Sequence, residues 1–214
     1  MEGVAVEQWF WLVIAVWSFF LFLATCLEKT RKPLLILDIN KLLVCRAFKP
    51  KMQDEFPSHV GYIKDATLLG QHYTWKRPYL DAFLEYAFQH YDIAIWSSAW
   101  RENVDKLCDF IFTPEQRSRL VFEWDQTKCD AVEPHPDPSE RKPLFEKPLK
   151  RVWKEFPEYN RHNTLIFDDS QLKMRNNPPE CVYQPNSWIV TQTEDYELSP
   201  EGGKIFKQLN QIIY

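Results

Sequence analysis

Leu34-Leu35-Ile36-Leu37-Asp38-Ile39-Asn40-Lys41-Leu42 decides how this chain is read, because four consecutive apolar residues end on a carboxylate. Such a run predicts a strand buried on both faces. Open α/β sheets bind their ligands at the carboxyl ends of buried strands, so Asp38 stands where chemistry is expected. Two residues on comes Asn40, whose amide hydrogen-bonds but neither gives nor takes a proton. Whether the protein catalyses anything turns on that residue.

Further along, Ile93-Ala94-Ile95-Trp96 and Leu165-Ile166-Phe167 are two more short apolar runs, separated from the first by helix-like segments. Alternation of this kind predicts an α/β fold with a central parallel sheet. Arg77-Pro78 predicts a helix with proline at its first position, followed by the apolar stripe Leu80, Phe83, Leu84, Ala87 and Phe88. A second helix is expected after Ser97-Ser98, with Val104, Leu107, Cys108 and Ile111 on one face. Thr113-Pro114-Glu115 reads as a cap and restart, and Leu120 to Trp124 as a further strand. Residues 133–143 hold four prolines and several charges and are expected to form an exposed loop. Ser199-Pro200 is expected to open the last helix, with Ile205, Leu209 and Ile212 buried in spite of Gly202 and Gly203. A small insertion is expected between Cys45 and Trp75, in which Tyr62, His72, Tyr73 and Trp75 either line a peptide groove or pack as aromatic core.

A parallel sheet brings the ends of its strands to one edge. Asp38 follows the first run, Ser97 and Ser98 the second, and Asp168 and Asp169 the third. A nucleophile, hydroxyl donors and an acidic pair could then surround one small anion. Adjacent carboxylates repel one another, and a hard cation such as Mg²⁺ would relieve them. Lys147, ahead of the third strand, is the candidate for balancing positive charge. Each piece also has an ordinary use: Asp and Ser are common turn residues, and a lone lysine is usually solvated. Their order along the chain is what favours a site.

The 214 residues suit one domain of ordinary size plus an extension. A net charge of −4 supplies no basic field for nucleic acid. Cys26, Cys45, Cys108, Cys129 and Cys181 include no Cys-x-x-Cys pair, which argues against zinc and a disulfide framework and for a reducing compartment. The extension contains Gln8 to Leu27, twenty residues without a formal charge, long enough to cross a bilayer as a helix. Trp9 and Trp11 lie at one end, and Lys29, Arg31 and Lys32 follow the other. The expected organisation is a short tail (1–7), a transmembrane helix (8–27), a basic linker (28–33) and one domain (34–214). Positive charge after the span would make this a single-pass membrane protein with its C-terminal domain in the cytosol or nucleoplasm. A cleavable signal would want a basic start, a shorter apolar stretch and small residues at the cut. An apolar helix packed on the protein is the remaining alternative.

From Lys32 to Tyr214 the chain resembles a family. The segments 35–38, 76–84 and 91–98 carry the likeness, with Phe122-Glu123-Trp124-Asp125-Gln126-Thr127-Lys128-Cys129, Asn163-Thr164-Leu165-Ile166-Phe167-Asp168-Asp169-Ser170 and Asn177-Pro178-Pro179. They are similar to the haloacid-dehalogenase-fold phosphatases of the RNA polymerase II C-terminal tail, the NLI-interacting-factor-like phosphatases. The wording is most similar to the ubiquitin-like-domain CTD phosphatase subgroup, although no ubiquitin-like domain is present here. The resemblance implies a haloacid-dehalogenase-like three-layer sandwich with a small insertion. It also implies that Asp38 is a nucleophile forming an aspartyl-phosphate, that Ser97, beside Ser98, holds a phosphate oxygen, and that Lys147 neutralises the phosphoryl charge. Asp168, Asp169, Asp38 and the main-chain carbonyl of Asn40 would hold Mg²⁺. Phosphoryl transfer is mostly positioning and charge neutralisation, so these groups suffice in kind.

The chain departs from the family at Asn40 and Leu42, where the pattern is Asp-x-Asp-x-Thr or Val. The second Asp of that pattern protonates the leaving oxygen and then activates water, and an amide does neither. Loss of general acid–base help costs about 10² to 10⁴ in rate. The cost is smallest for a phenolic leaving group with pKa near about 10, as in phosphotyrosine or an aryl phosphate. Should turnover nevertheless be brisk, His59, His72 and His135 are the loop residues to supply the proton. The sequence therefore leaves three readings. The chain is a CTD-phosphatase-like phosphomonoester hydrolase with impaired catalysis, a membrane-tethered pseudophosphatase that binds a phosphoprotein or phosphopeptide, or a structural partner that uses neither phosphate nor metal.

Overall fold

The computed structural model describes residues 32–55, 57–138 and 142–210. The expected transmembrane helix at 8–27 lies outside them. Among the described residues no helix is long and apolar enough to cross a membrane. The longest, Leu80–His90 and Arg101–Ile111, have 11 residues each, about 16 Å of helix against the ~30 Å of a hydrocarbon core. This corrects the expectation of a single-pass membrane protein, which is withdrawn together with the location inferred from it. Charge-free composition reports how a segment partitions, not which helix it forms.

The central sheet is parallel throughout, in the order β10-β9-β1-β5-β6: Val182–Tyr183, Thr164–Phe167, Leu34–Leu37, Asp92–Trp96 and Glu123–Trp124. All three apolar runs are its inner strands, and β1 and β9 have no exposed residue. Successive side chains point to opposite faces. Leu35, Leu37, Ile93, Ile95, Leu165 and Phe167 join one buried cluster with residues of α2 (Leu80–His90), α3 (Arg101–Ile111) and α7 (Lys204–Asn210). Leu34, Ile36, Ala94, Trp96 and Ile166 form another with Leu149 and Val152 of α5 (Leu149–Glu155). Helices therefore cover both faces of the sheet, as the three-layer expectation required.

The insertion between β1 and α2 is a three-stranded antiparallel sheet, ordered β2 (Val44–Phe48), β4 (His72–Lys76), β3 (Thr67–Leu69), with the short helix α1 (Met52–Glu55) in its connection. Trp75 packs with Cys45, Ala47, Met52, Trp188 and Val190, and its indole N–H donates to the Tyr62 carbonyl; with Tyr62 and Trp188 it also lines a cleft of about 580 Å³. Tyr62 and Tyr73 are half-buried against that cluster. α4 (Pro114–Ser118) has the expected Thr113 cap, closed as a capping box with Gln116. Residues 133–143 connect β7 (Asp130–Val132) to β8 (Leu144–Glu146).

Two helix starts differ from expectation. Pro78 lies in a turn, because Tyr79 adopts a left-handed backbone (φ 63°) and α2 begins at Leu80. The last helix begins at Lys204, after a turn whose tightness explains Gly203: a Cβ there would lie 2.5 to 2.7 Å from the carbonyl oxygens of Glu197, Tyr196 and Ser199. Ile212 lies outside the described residues.

Arg77 is fully enclosed, and its guanidinium donates to both carboxylate oxygens of Asp195 at 2.8 and 2.7 Å and to the Leu42 carbonyl at 3.1 Å. One buried cation thus joins the end of β4, the loop after β1 and the C-terminal segment. Removing one partner of such a pair strands the other in a low-dielectric interior. Asp195→Ala should lower the stability of the purified chain by about 3 kcal/mol in urea unfolding, whereas a loss under about 1 kcal/mol would show that Arg77 regains water.

Candidate active site

The register of the sheet builds the site. β1 and β9 pair with Leu37 beside Phe167, so the next residues along, Asp38 and Asp168, emerge side by side. The Asp38 N–H donates to the Phe167 carbonyl at 2.9 Å. By alternation both acids point to the face that α5 covers, and Lys147 lies two residues before that helix, ahead of its N-cap Pro148. Its ammonium, fully enclosed, donates to Asp38 Oδ1 at 2.7 Å and to Asp168 Oδ2. Two buried carboxylates thus share one buried cation.

The backbone on either side of Lys147 is tied down. Its N–H donates to the Lys173 carbonyl at 2.8 Å. Asn177 accepts from the Leu149 N–H at 2.8 Å and donates to the Lys147 carbonyl at 2.9 Å, which gives the Asn-Pro-Pro motif a physical role in holding the lysine.

A second lysine enters from α6 (Gln171–Met174). Lys173 Nζ lies 3.0 Å from Asp168 Oδ1, 3.7 Å from Asp169 Oδ1 and 3.8 Å from Asp38 Oδ2. Reasoning from the sequence missed it, since a lysine on a short helix reads as solvated. Its place four residues after Asp169 was the available signal. Burial alone would lower its pKa, but Asp38, Asp168 and Asp169 outweigh that and raise it, so it is a fixed cation. Burial likewise works to raise Asp168, yet Lys147, Lys173 and the Ser170 N–H hold its carboxyl below the ordinary range. Asp169 goes the other way. Burial, with Asp38 and Asp168, pushes it up against the pull of Lys173 and the Ser187 hydroxyl, which donates to it at 2.7 Å.

Asp38, Asp168, Asp169 and Lys147 are therefore brought together. Carboxylate oxygens of the three acids lie within 4.8 Å of one another, a hard donor set of the kind Mg²⁺ takes. Asn40 follows on the tight loop that bridges back to Val44, with Lys41 in a left-handed conformation (φ 61°). The Asn40 Oδ1 atom is buried without a hydrogen-bond partner, an unsatisfied acceptor of the sort found where a ligand or ion is missing. Ser97 is buried at the end of β5, and its hydroxyl accepts from the Ala99 N–H at 3.2 Å rather than from the lysines. Ser98 lines a cleft of about 380 Å³ with Trp100, His135, Lys142, Ser170 and Lys173. Of the three histidines considered as proton donors, His135 lines this cleft, whereas His59 is buried in the insertion and His72 lies on β4.

A strand-terminal carboxylate is thus held by a buried lysine beside an acidic pair, and comparison with known proteins gives the family. The sequence profile of the NLI interacting factor-like phosphatases matches residues 33–212. The chain belongs to this family. It is 33% identical over 105 residues to the ubiquitin-like domain-containing CTD phosphatase 1 of Drosophila melanogaster, covering 48% of this chain and 31% of that protein. It is 26% identical over 155 residues to an uncharacterized FCP1 homology domain-containing protein of Schizosaccharomyces pombe, covering 69% of this chain and 58% of that one. The chain thus spans about a third to somewhat over half of these relatives. The solved structure of Fcp1, an essential RNA polymerase II CTD phosphatase, aligns with a TM-score of 0.55 at 14% identity, over 88% of this chain and 51% of that chain. That likeness establishes the Fcp1-like, haloacid-dehalogenase-like fold.

Lys147→Met should cost about 3 kcal/mol near neutral pH, because Asp38 and Asp168 then face each other with Lys173 as their nearest cation. The sign with pH follows from Asp168. Its folded pKa is depressed, so its contribution is present above the ordinary carboxylate range and is lost as the pH falls through that range and below. Urea midpoints of the two proteins should converge as the solution is acidified, and a constant gap would contradict the pairing.

Proposed function

We propose that this chain is a phosphomonoester hydrolase of the aspartyl-phosphate type, slow because Asn40 stands at the acid–base position and most effective on aryl phosphates. The observation that carries it is the pairing of strand-terminal Asp38 with the enclosed ammonium of Lys147, in a family of phosphatases. In the first step a carboxylate oxygen of Asp38 forms a bond to phosphorus as the bond to the leaving oxygen breaks. Lys147 balances charge on the phosphoryl oxygens. The hydroxyls and backbone of Ser97 and Ser98 orient them. The Asn40 amide can donate a hydrogen bond to the leaving oxygen but no proton, so the leaving group departs as its anion or takes a proton from water. In the second step water attacks the aspartyl-phosphate without a base at position 40, releasing inorganic phosphate and regenerating Asp38.

Asp38, Asp168, Asp169 and the Asn40 carbonyl would hold Mg²⁺, which when bound supplies further charge neutralisation at the phosphoryl oxygens. A phenolate is already a tolerable anion, whereas a serine or threonine alkoxide is not, and this sets the substrate preference. A second reading is a module that binds a phosphoprotein or phosphopeptide without turnover. The amide at Asn40 favours it, because it lacks the proton chemistry of a carboxylate while Lys147 and Lys173 remain as cations for an anion.

Hydrolysis of para-nitrophenyl phosphate with Mg²⁺ separates the two readings. The natural chain should turn over slowly, Asp38→Asn not at all, and Asn40→Asp faster by about 10²-fold through its restored proton donor and base. Phosphoserine peptide should remain far slower than phosphotyrosine peptide for the natural chain. If Asn40→Asp binds Mg²⁺ and shows no gain, the proposed role of position 40 is wrong. Binding of a phosphopeptide with no turnover by any variant would favour the module.

A further inference from the structure

The two lysines divide the carboxylate oxygens between them. Lys147 takes Asp38 Oδ1 and Asp168 Oδ2. The other oxygen of each, with Oδ1 of Asp169, faces Lys173 at 3.8, 3.0 and 3.7 Å. One oxygen from each of three acids therefore converges on a single ammonium. Mg²⁺ binds such oxygens at about 2.0–2.1 Å. An ion bound to the same three oxygens would lie within a few ångströms of Lys173 Nζ and be repelled by its charge. We infer that Lys173 is a tethered cation standing in the divalent-ion position, so that an ion binds only when the lysine side chain withdraws.

The structure offers a route for that withdrawal. Lys173 keeps 19% exposure and lines the open cleft with Ser98, Trp100 and Lys142. Its backbone is held, since its carbonyl accepts from the Lys147 N–H and its own N–H donates to the Ser170 carbonyl at 3.2 Å. The side chain alone must move. Once withdrawn, its ammonium would face the cleft by which a phosphoryl group approaches. The inference rests on the Mg²⁺ site proposed above, and it adds that the chain carries its own competitor for that site.

Titration of the purified full chain with Mg²⁺ by calorimetry, and with Mn²⁺ by electron paramagnetic resonance, tests it. Lys173→Met should bind either ion about tenfold or more tightly than the natural chain, since a unit charge a few ångströms from the ion is removed. Lys173→Arg should keep the weak affinity, and Lys173→Gln provides a second neutral variant if Lys173→Met does not fold. Asp169→Asn added to the neutral variant should abolish the gain, which places the ion at these carboxylates. Thermal melting adds a readout that a purely structural lysine would not give: Mg²⁺ should raise the melting temperature of the neutral variant more than that of the natural chain. Equal measurable affinities for natural and neutral chains overturn the role of Lys173 and leave the metal site standing. No ion uptake by either overturns both.

Discussion

The enclosed ammonium of Lys147 is the constraint on which the candidate site depends. Parallel strands lie about 4.8 Å apart, so the register that buries Leu37 beside Phe167 forces Asp38 and Asp168 together at the sheet edge. Two carboxylates at 2% and 0% exposure would repel strongly enough to neutralise one of them or part the strands. A cation delivered from the α5 face offsets that repulsion. The ties from Asn177 and from the Lys173 carbonyl then hold the delivering backbone in place. Much of the chain between β8 and β10 thus serves to aim one side chain.

A second set of contacts fixes the loop that carries Asn40. The Trp188 N–H donates to the Lys41 carbonyl at 2.8 Å, Arg77 reaches the Leu42 carbonyl, and Ser187 and Gln184 hold Asp169. All but Arg77 come from the segment after β10, which contains little regular structure. That segment belongs to the site because it spans both halves of it, the loop after β1 and the acid pair after β9. A left-handed Lys41 is uncommon for a residue with a Cβ. The surrounding hydrogen bonds over-determine its conformation and so position Asn40.

What was legible in the sequence follows period and burial. The inner strands announced themselves as runs with no polar residue, the stripe from Leu80 to Phe88 fixed the face of α2, and Asp38, Lys147, Asp168 and Asp169 were named because a parallel sheet converges at its carboxyl edge. Arg77 was not, since nothing local marks a charged residue as enclosed and its partner, Asp195, lies far away in sequence; Lys173 was not either, because the spacing to Asp169 is a local signal that solvated lysines share. Trp75 was ambiguous between groove and core because composition does not say which neighbour arrives, and the one that does, Trp188, comes from the C-terminal segment. Pro78 misled because a proline suits a turn as well as a first helical turn, and the left-handed Tyr79 decided between them. The apolar run at 8–27 lies outside the described residues.

Asn40 and Lys173 move the same electrostatic balance in the same direction. With an aspartate at position 40 this edge would carry a fourth carboxylate beside Asp38, Asp168 and Asp169, a charge that a divalent ion would relieve. The amide removes one negative charge, and Lys173 brings a positive one to the three carboxylates that remain. The site is thereby nearly balanced by the protein's own groups. What is lost is the proton chemistry of a carboxylate at that position. What is kept is a pocket edge with two ammoniums facing the place where, in the proposed chemistry, a phosphoryl group arrives. A chain that changed only position 40 would still depend fully on its ion for charge balance. Asn40 and Lys173 thus shift the charge of this edge in the same direction, and together they reduce the negative charge that a divalent ion would have to balance.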